Sequence, residues 1–202
     1  MIFIGESVMG EVFKKEKMYL ETWFWCFMIF NVAGWIYEVV VFAFEYHQGF
    51  INRGFLFGPY LPVYGSGELL VLLMLLGLRS KKVKLGKINL MPVVMFFIIV
   101  FITTVTELIT SYILEIFTHG NGFLWDYSTL NYGPHFEGRI SVVSSLRFGI
   151  MGIVGLYLIQ PITAKVVDKL RTWKVPFYGV TIAVAAVFAV DVIIHVGASL
   201  LK

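Results

Sequence analysis

The sequence predicts an all-α, polytopic membrane protein with about five transmembrane helices, and three observations carry that prediction. Apolar residues make up 58% of the 202 and aromatic residues 17%. The mean hydropathy is +0.83. The charged residues, 14% of the chain, gather in short stretches between apolar runs, whereas a soluble domain carries about 25% and spreads them along helix faces. Lipid is therefore the solvent for most of the chain.

A bilayer core of about 30 Å needs roughly 20 apolar residues in a helix. Five stretches meet that need: 22–44, 61–78, 92–118, 145–162 and 177–200. The second is firmly apolar only from Leu69 to Leu78, and the preceding Pro59, Pro62, Gly65 and Gly67 predict a partly broken approach to the membrane. Irregular backbone at that depth is tolerated only where protein or water satisfies it. Before the first span, Ile2, Phe3, Ile4, Val8, Met9, Val12 and Phe13 recur at roughly helical spacing with no small-residue cleavage site behind them. Residues 1–21 are thus expected to be an amphipathic segment on the cytoplasmic surface rather than a cleaved signal peptide. The remainder, 22–202, reads as one transmembrane domain.

Positive charge sets the expected orientation. Lys14, Lys15 and Lys17 precede the first span, Arg79, Lys81, Lys82, Lys84 and Lys87 follow the second, and Lys165, Lys169, Arg171 and Lys174 follow the fourth. By the positive-inside rule these belong in the cytoplasm. The connections 45–60 and 119–144 then face outward, with the amino terminus inside and the carboxyl terminus outside. Trp23, Trp25 and Trp173 fit the inner interfacial belt. The net charge of +3 comes without a basic stripe interleaved with stacking aromatics, so a nucleic-acid partner is not expected. Cys26, the one cysteine, excludes an intrachain disulfide or a thiolate cluster.

Both external connections repeat one order of features. A glutamate sits inside the preceding helix, an arginine stands next to a glycine, and glycines open the next helix. The first runs Glu38, Arg53-Gly54, Gly65-Ser66-Gly67; the second runs Glu107, Gly138-Arg139, Gly149 and Gly152. This fits a parallel duplication of a two-helix unit with a fifth helix added, although the unequal spacings are as compatible with chance.

Counting ~1.5 Å per residue from the inner ends, Glu38, Glu107, Asp191 and His195 fall beyond the midplane, as do Glu68, Arg53, Arg139 and Arg147 at the outer helix starts. Even the lenient insertion scale charges ~2.5–3.5 kcal/mol for a charge at mid-bilayer. Such residues therefore face partners or water, and together they predict an outward-opening polar cavity. Asn31, Trp35, Glu38 and Phe42 share one side of the first helix, and Thr103, Glu107, Thr110 and Ser111 make a strip on the third. The bland reading carries equal weight: Glu38 with Arg53, and Glu107 with Arg139, as neutralising ion pairs. Asp191 and His195, four residues apart, can touch; a hydrogen-bonding pair is favoured over a metal site, which needs a third ligand. His47, His119 and His135 fall in external loops, where solvation is the default, and Phe55, Phe57, Tyr60 and Tyr64 read first as an aromatic belt. No GxxxxGK[ST], GxSxG or HExxH occurs, so neither nucleotide hydrolysis by a P-loop nor the commonest hydrolase chemistries are expected. No cofactor or metal is predicted.

Gly34-Trp35-Ile36-Tyr37-Glu38, then Asn52-Arg53-Gly54-Phe55-Leu56-Phe57-Gly58-Pro59 with Pro62, Tyr64, Gly65 and Gly67, resemble the CmpB-like, ABC-transporter type IV membrane proteins. The likeness continues through Glu107, Tyr112, Glu115, Leu124-Trp125-Asp126-Tyr127-Ser128, Gly138-Arg139-Ile140-Ser141 and Ser145-Leu146. The family pattern has asparagine where this chain has Glu137, and an aromatic pair where it has Arg147-Phe148. Members are small bacterial proteins described as permease subunits, so the resemblance implies a transport role in the inner membrane.

The expected function is a permease or substrate-binding transport subunit for a small polar or charged solute, with Glu38, Arg53, Glu68, Glu107, Arg139, Asp191 and His195 on the pathway. The expected partners are the bilayer, the small-molecule or lipid substrate, a separate ATPase subunit and a second copy of the chain. Two alternatives stand: an intramembrane enzyme acting on lipid head groups or lipid-linked phosphate at the outer leaflet, with arginines binding phosphate and a carboxylate or His195 as base; and a structural assembly subunit.

Overall fold

The computed structural model describes residues 10–45, 47, 49–54, 56–117, 125–129 and 133–200, and most of these are helical. Helix α1 (Leu20–Val40) continues through a wide π turn, Val41–Glu45. Helix α2 (Pro62–Leu75) tightens at its end into a 3-10 turn, Leu76–Leu78. Helix α3 spans Met91–Phe117. Helix α4 (Val142–Val154) passes through a second π turn, Gly155–Ile159, into α5 (Gln160–Leu170) and a 3-10 turn, Arg171–Trp173. Helix α6 spans Val175–Leu200. Two short antiparallel hairpins interrupt this order, β1 (Lys84–Leu85) with β2 (Ile88–Asn89), and β3 (His135–Phe136) with β4 (Ile140–Ser141).

Four helical runs are long and apolar enough to cross a membrane: Leu20–Glu45, Met91–Ile116, Val142–Trp173 and Val175–His195. The run Pro62–Leu78 is apolar but shorter. Their side chains confirm the solvent: Phe101 is 70% exposed, Val187 65% and Ile193 68%, values a water-soluble helix would not sustain over a whole face. The chain is thus a polytopic all-α membrane protein, as its composition predicts.

The fourth run differs from the predicted 145–162 by extending to Trp173. The reason lies at Pro161, which has no amide hydrogen and would clash inside a regular helix. The π turn before it resets the hydrogen-bond ladder, so that Pro161 stands in the first turn of α5, where a missing donor costs nothing. The basic stretch that follows is helical as a result. Arg79 Nη1 donates to the Leu156 carbonyl inside that π turn at 2.9 Å.

The chain forms two compact units, one of Met1–Leu69 with Ile159–Lys202 and one of Leu70–Leu158. In the first, Met28, Leu56 and Tyr60 form a buried core with Phe24, Trp25, Phe27, Val32, Val184, Phe188 and Val192 packed around it. Gln160 of α5 is buried and donates to the Glu16 carbonyl at 3.3 Å. The segment before α1 is helical over residues 10–15 and is tied down by Lys17, whose ammonium meets Asp168. Residues 1–9 of the expected amphipathic segment lie outside the described residues.

In the second unit, α3 packs along α4. Thr104 donates to Ser145 Oγ at 2.7 Å, a bond worth about 0.6 kcal/mol in a membrane. Ser141 caps α4 by accepting from the Val143 amide at 3.2 Å, as N-cap serines do.

Glycine sets the close approach in each unit, at matching positions. A Cβ on Gly65 would meet Asn31 Oδ1 at 2.3 Å and the Phe27 carbonyl at 2.6 Å; one on Gly149 would meet Val100 at 2.4 Å and Phe96 at 2.7 Å. Asn31 and Phe27 precede Glu38 by 7 and 11 residues, and Val100 and Phe96 precede Glu107 by the same 7 and 11. The two helix crossings therefore share one register relative to their glutamates.

Candidate functional site

In the first unit the site begins at Glu38, near the end of α1. Tyr64, in the first turn of α2, donates its hydroxyl to Glu38 Oε1 at 2.5 Å. Arg53 Nε stands 3.6 Å from Oε2, an ion-pair distance slightly beyond a hydrogen bond. The loop delivers Arg53 in two ways. Trp35 Nε1 donates to Asn52 Oδ1 at 2.7 Å, and Gly54, at φ +89°, turns the chain through the left-handed region that only glycine enters freely. The Arg53 guanidinium lies over the Phe42 ring, 3.6 Å from its centroid, one helical turn beyond Glu38. Such stacking contributes about 0.5–2 kcal/mol.

The second unit builds a related arrangement on α3. Tyr127 donates its hydroxyl to Glu107 Oε1 at 2.6 Å, and Ser144 donates to the same carboxylate at 3.3 Å. Arg139 arrives on the β3–β4 hairpin, whose turn holds Glu137 and Gly138 at positive φ. Its guanidinium lies 4.1 Å from the Tyr112 ring centroid, reaches Glu115 Oε2 at 2.6 Å and stands 3.4 Å from Glu137 Oε2. Trp125 Nε1 fastens the Arg139 carbonyl at 2.8 Å. A Cβ at Gly138 would meet Asp126 Oδ1 at 2.3 Å. That oxygen accepts from the Ser128 hydroxyl and amide, which hold the Asp126 carboxyl below its usual range.

Both units therefore place a tyrosine hydroxyl on a helical glutamate and stack a loop arginine over an aromatic ring one turn or so beyond it. The carboxylates remain partly accessible, Glu38 at 24%. Hydrogen-bonded yet partly exposed, each can bind a cationic or hydroxylic group.

Asp191 and His195 form a third group, on α6. Asp191 Oδ2 accepts from the Gly58 amide at 3.0 Å and the Tyr60 hydroxyl at 2.5 Å. Its Oδ1 accepts from the Phe57 amide at 3.2 Å and lies 2.9 Å from His195 Nδ1. The His195 ring packs on Phe57, centroids 4.2 Å apart. Burial and the hydrogen bond to Asp191 push the Tyr60 hydroxyl up to about 12. This carboxylate is engaged on every side by the loop before α2 and by its own helix. Among the described residues no group of three His, Cys, Asp or Glu side chains is arranged to hold a metal.

Glu68, on α2, stands apart from these clusters: it is 4% exposed and its Oε1 has no hydrogen-bond partner. Arg147 is half-buried on α4. His47 is exposed, and His119 and Phe55 lie outside the described residues. A cavity of about 610 Å³ opens elsewhere, lined by Asp168, Arg171, Lys174 and Tyr178 among others. Two of its charges are already engaged, Asp168 by Lys17 and Tyr19 and Arg171 by Glu21 and the Tyr19 ring.

The family model described as "Putative ABC-transporter type IV" matches residues 25–196. The chain belongs to that family. No curated protein and no solved structure matches it. The family match takes in every residue of the Glu38, Glu107 and Asp191 clusters. Membership makes the chain a membrane protein of an ABC-transporter-type family, in accord with its apolar helices.

Sequence reasoning missed the partners of the glutamates. Tyr64 reads from sequence only as part of an aromatic belt, and Tyr127, Tyr112 and Glu115 stand inside the family motif without a role; the signal was the pairing of each helical glutamate with a loop or helix-start tyrosine.

Proposed function

We propose that the chain is a permease or substrate-binding transport subunit of the cell's inner (plasma) membrane, taking a small polar or charged solute at Glu38 and Glu107 in the outer half of the bilayer. One observation supports this above others: the same chemistry, a partly exposed helical carboxylate held by a tyrosine hydroxyl, with a loop arginine stacked on an aromatic ring about one turn further along the helix, recurs in both units (Glu38 with Tyr64, Glu107 with Tyr127). Repeated structural units are common in transporters. Arg53 and Arg139 balance or gate the carboxylates. Asp191 and His195 act in this reading as positioning residues, holding the Phe57–Tyr60 loop. The lysine-rich connections lie in the cytoplasm, where the basic stretches 79–91 and 165–176 are the surfaces open to a separate ATPase subunit, and a second copy of the chain completes the pathway.

The reading is tested with proteoliposomes on a solid-supported membrane, challenged with a panel of small cations, zwitterions and anions. A solute-specific current is expected that is lost in Glu38→Gln and in Glu107→Gln while both variants melt as the parent does. Variants that conduct normally, or that lose only thermal stability, would leave these carboxylates a structural role and overturn the reading.

A further inference from the structure

We propose that Glu68 is an intramembrane proton-binding site, a buried carboxyl group held without a cationic partner. The side chain is 4% exposed, sits within the apolar run Pro62–Leu78, and its Oε1 makes no hydrogen bond. No arginine or lysine among the described residues pairs with it.

The surroundings fit an acid and not a carboxylate. Glu68 lies one turn beyond Gly65, whose amide donates to Asn31 Oδ1 at 2.8 Å. Asn31 is fully buried, and its Nδ2 also lacks a partner. The Cys26 thiol of α1, fully buried and hydrogen-bonded to Thr163 of α5, interacts electrostatically with Glu68. None of these carries a positive charge. An ionised carboxylate in a low-dielectric interior with no cationic partner is strongly disfavoured, and such a group neutralises instead. Glu38 and Glu107 differ because each accepts hydrogen bonds and is partly exposed. A buried acid free of hydrogen-bonding constraint is equipped to bind and release a proton, which neither hydrogen-bonded cluster provides. The inference goes beyond the solute site and does not depend on it.

The probe is dicyclohexylcarbodiimide, an apolar reagent that attacks protonated carboxyls within membranes. Purified protein in liposomes is treated across a pH series and mapped by peptide mass spectrometry. An adduct is expected at Glu68 at neutral pH, falling about tenfold per pH unit once the medium passes the group's midpoint. The infrared band of a protonated carboxyl is expected in the parent and absent in Glu68→Gln. The mapping needs no variant, so a poorly folding Glu68→Gln leaves it decisive. Absence of an adduct at Glu68, or labelling that does not change with pH, overturns the proposal.

Discussion

Tyr60 and Asp191, 131 residues apart in sequence, meet through a 2.5 Å hydrogen bond from the phenol to the buried carboxylate. That contact, with the Phe57 and Gly58 amides on the same carboxylate, ties the irregular segment before α2 to α6. It answers the requirement that non-helical backbone near a membrane find its partners within the protein.

Removing the carboxylate strands several donors at once. Asp191→Ala is expected to destabilise the protein by about 3 kcal/mol or more, and Tyr60→Phe by about 1–2 kcal/mol, since a hydrogen bond to a charged group is worth about 1.5–3. Thermal melts in detergent check the order. Equal, negligible losses would show that the loop does not depend on Asp191.

The same contact has a pH signature. The Tyr60 hydroxyl titrates near 12 in the folded protein and near 10 in an unfolded chain, so the neutral form favours folding. Its contribution is complete below about pH 10 and is lost as the medium rises toward 12. The parent should therefore lose melting temperature over that window more steeply than Tyr60→Phe. Parallel curves would contradict the linkage.

The glycines at the helix crossings rank themselves. At Gly65 an added methyl meets the Phe27 backbone carbonyl at 2.6 Å, at Gly149 it meets only side chains, and at Gly67 it meets nothing within 4 Å. Gly65→Ala is expected to cost the most, upward of about 2 kcal/mol by overpacking, with Gly149→Ala cheaper. Gly67→Ala is neutral or slightly stabilising, because alanine favours a helix by up to ~1 kcal/mol over glycine. Chemical denaturation of the three variants gives the ranking.

Much of this fold was legible because lipid imposes one simple rule, about 20 apolar residues per crossing. The five apolar stretches could be found without any knowledge of packing. Helix continuity through Pro161 was not legible, because a π turn has no hydropathy signature. The sites were half legible. Helical counting placed Glu38 and Glu107 in equivalent positions, and the spacing of Asp191 and His195 put them in contact. The carboxylate partner of Arg139 could not be read: Glu107 and Glu115 lie on one face of α3 about two turns apart, and only the folded hairpin brings the guanidinium onto Glu115. The Tyr60–Asp191 tie was invisible for a plainer reason, since no periodicity connects a loop to a helix 131 residues away.

Orientation is open to a direct check. With Cys26 replaced by alanine, a single cysteine at Lys87 should be shielded from a membrane-impermeant maleimide in intact cells and label only after permeabilisation. One at Asn52 should label at once. The reverse pattern would place the lysine-rich connections outside and invert the topology.

The account rests most heavily on Glu38 and Glu107 each acting as a solute-binding carboxylate within its own unit. Solute-induced currents from liposomes bearing the parent, Glu38→Gln, Glu107→Gln and the double variant test it most directly, with melting temperature as the control for folding. Each single variant should abolish the current as completely as the double, at unchanged melting temperature. Full current in either single variant would contradict it.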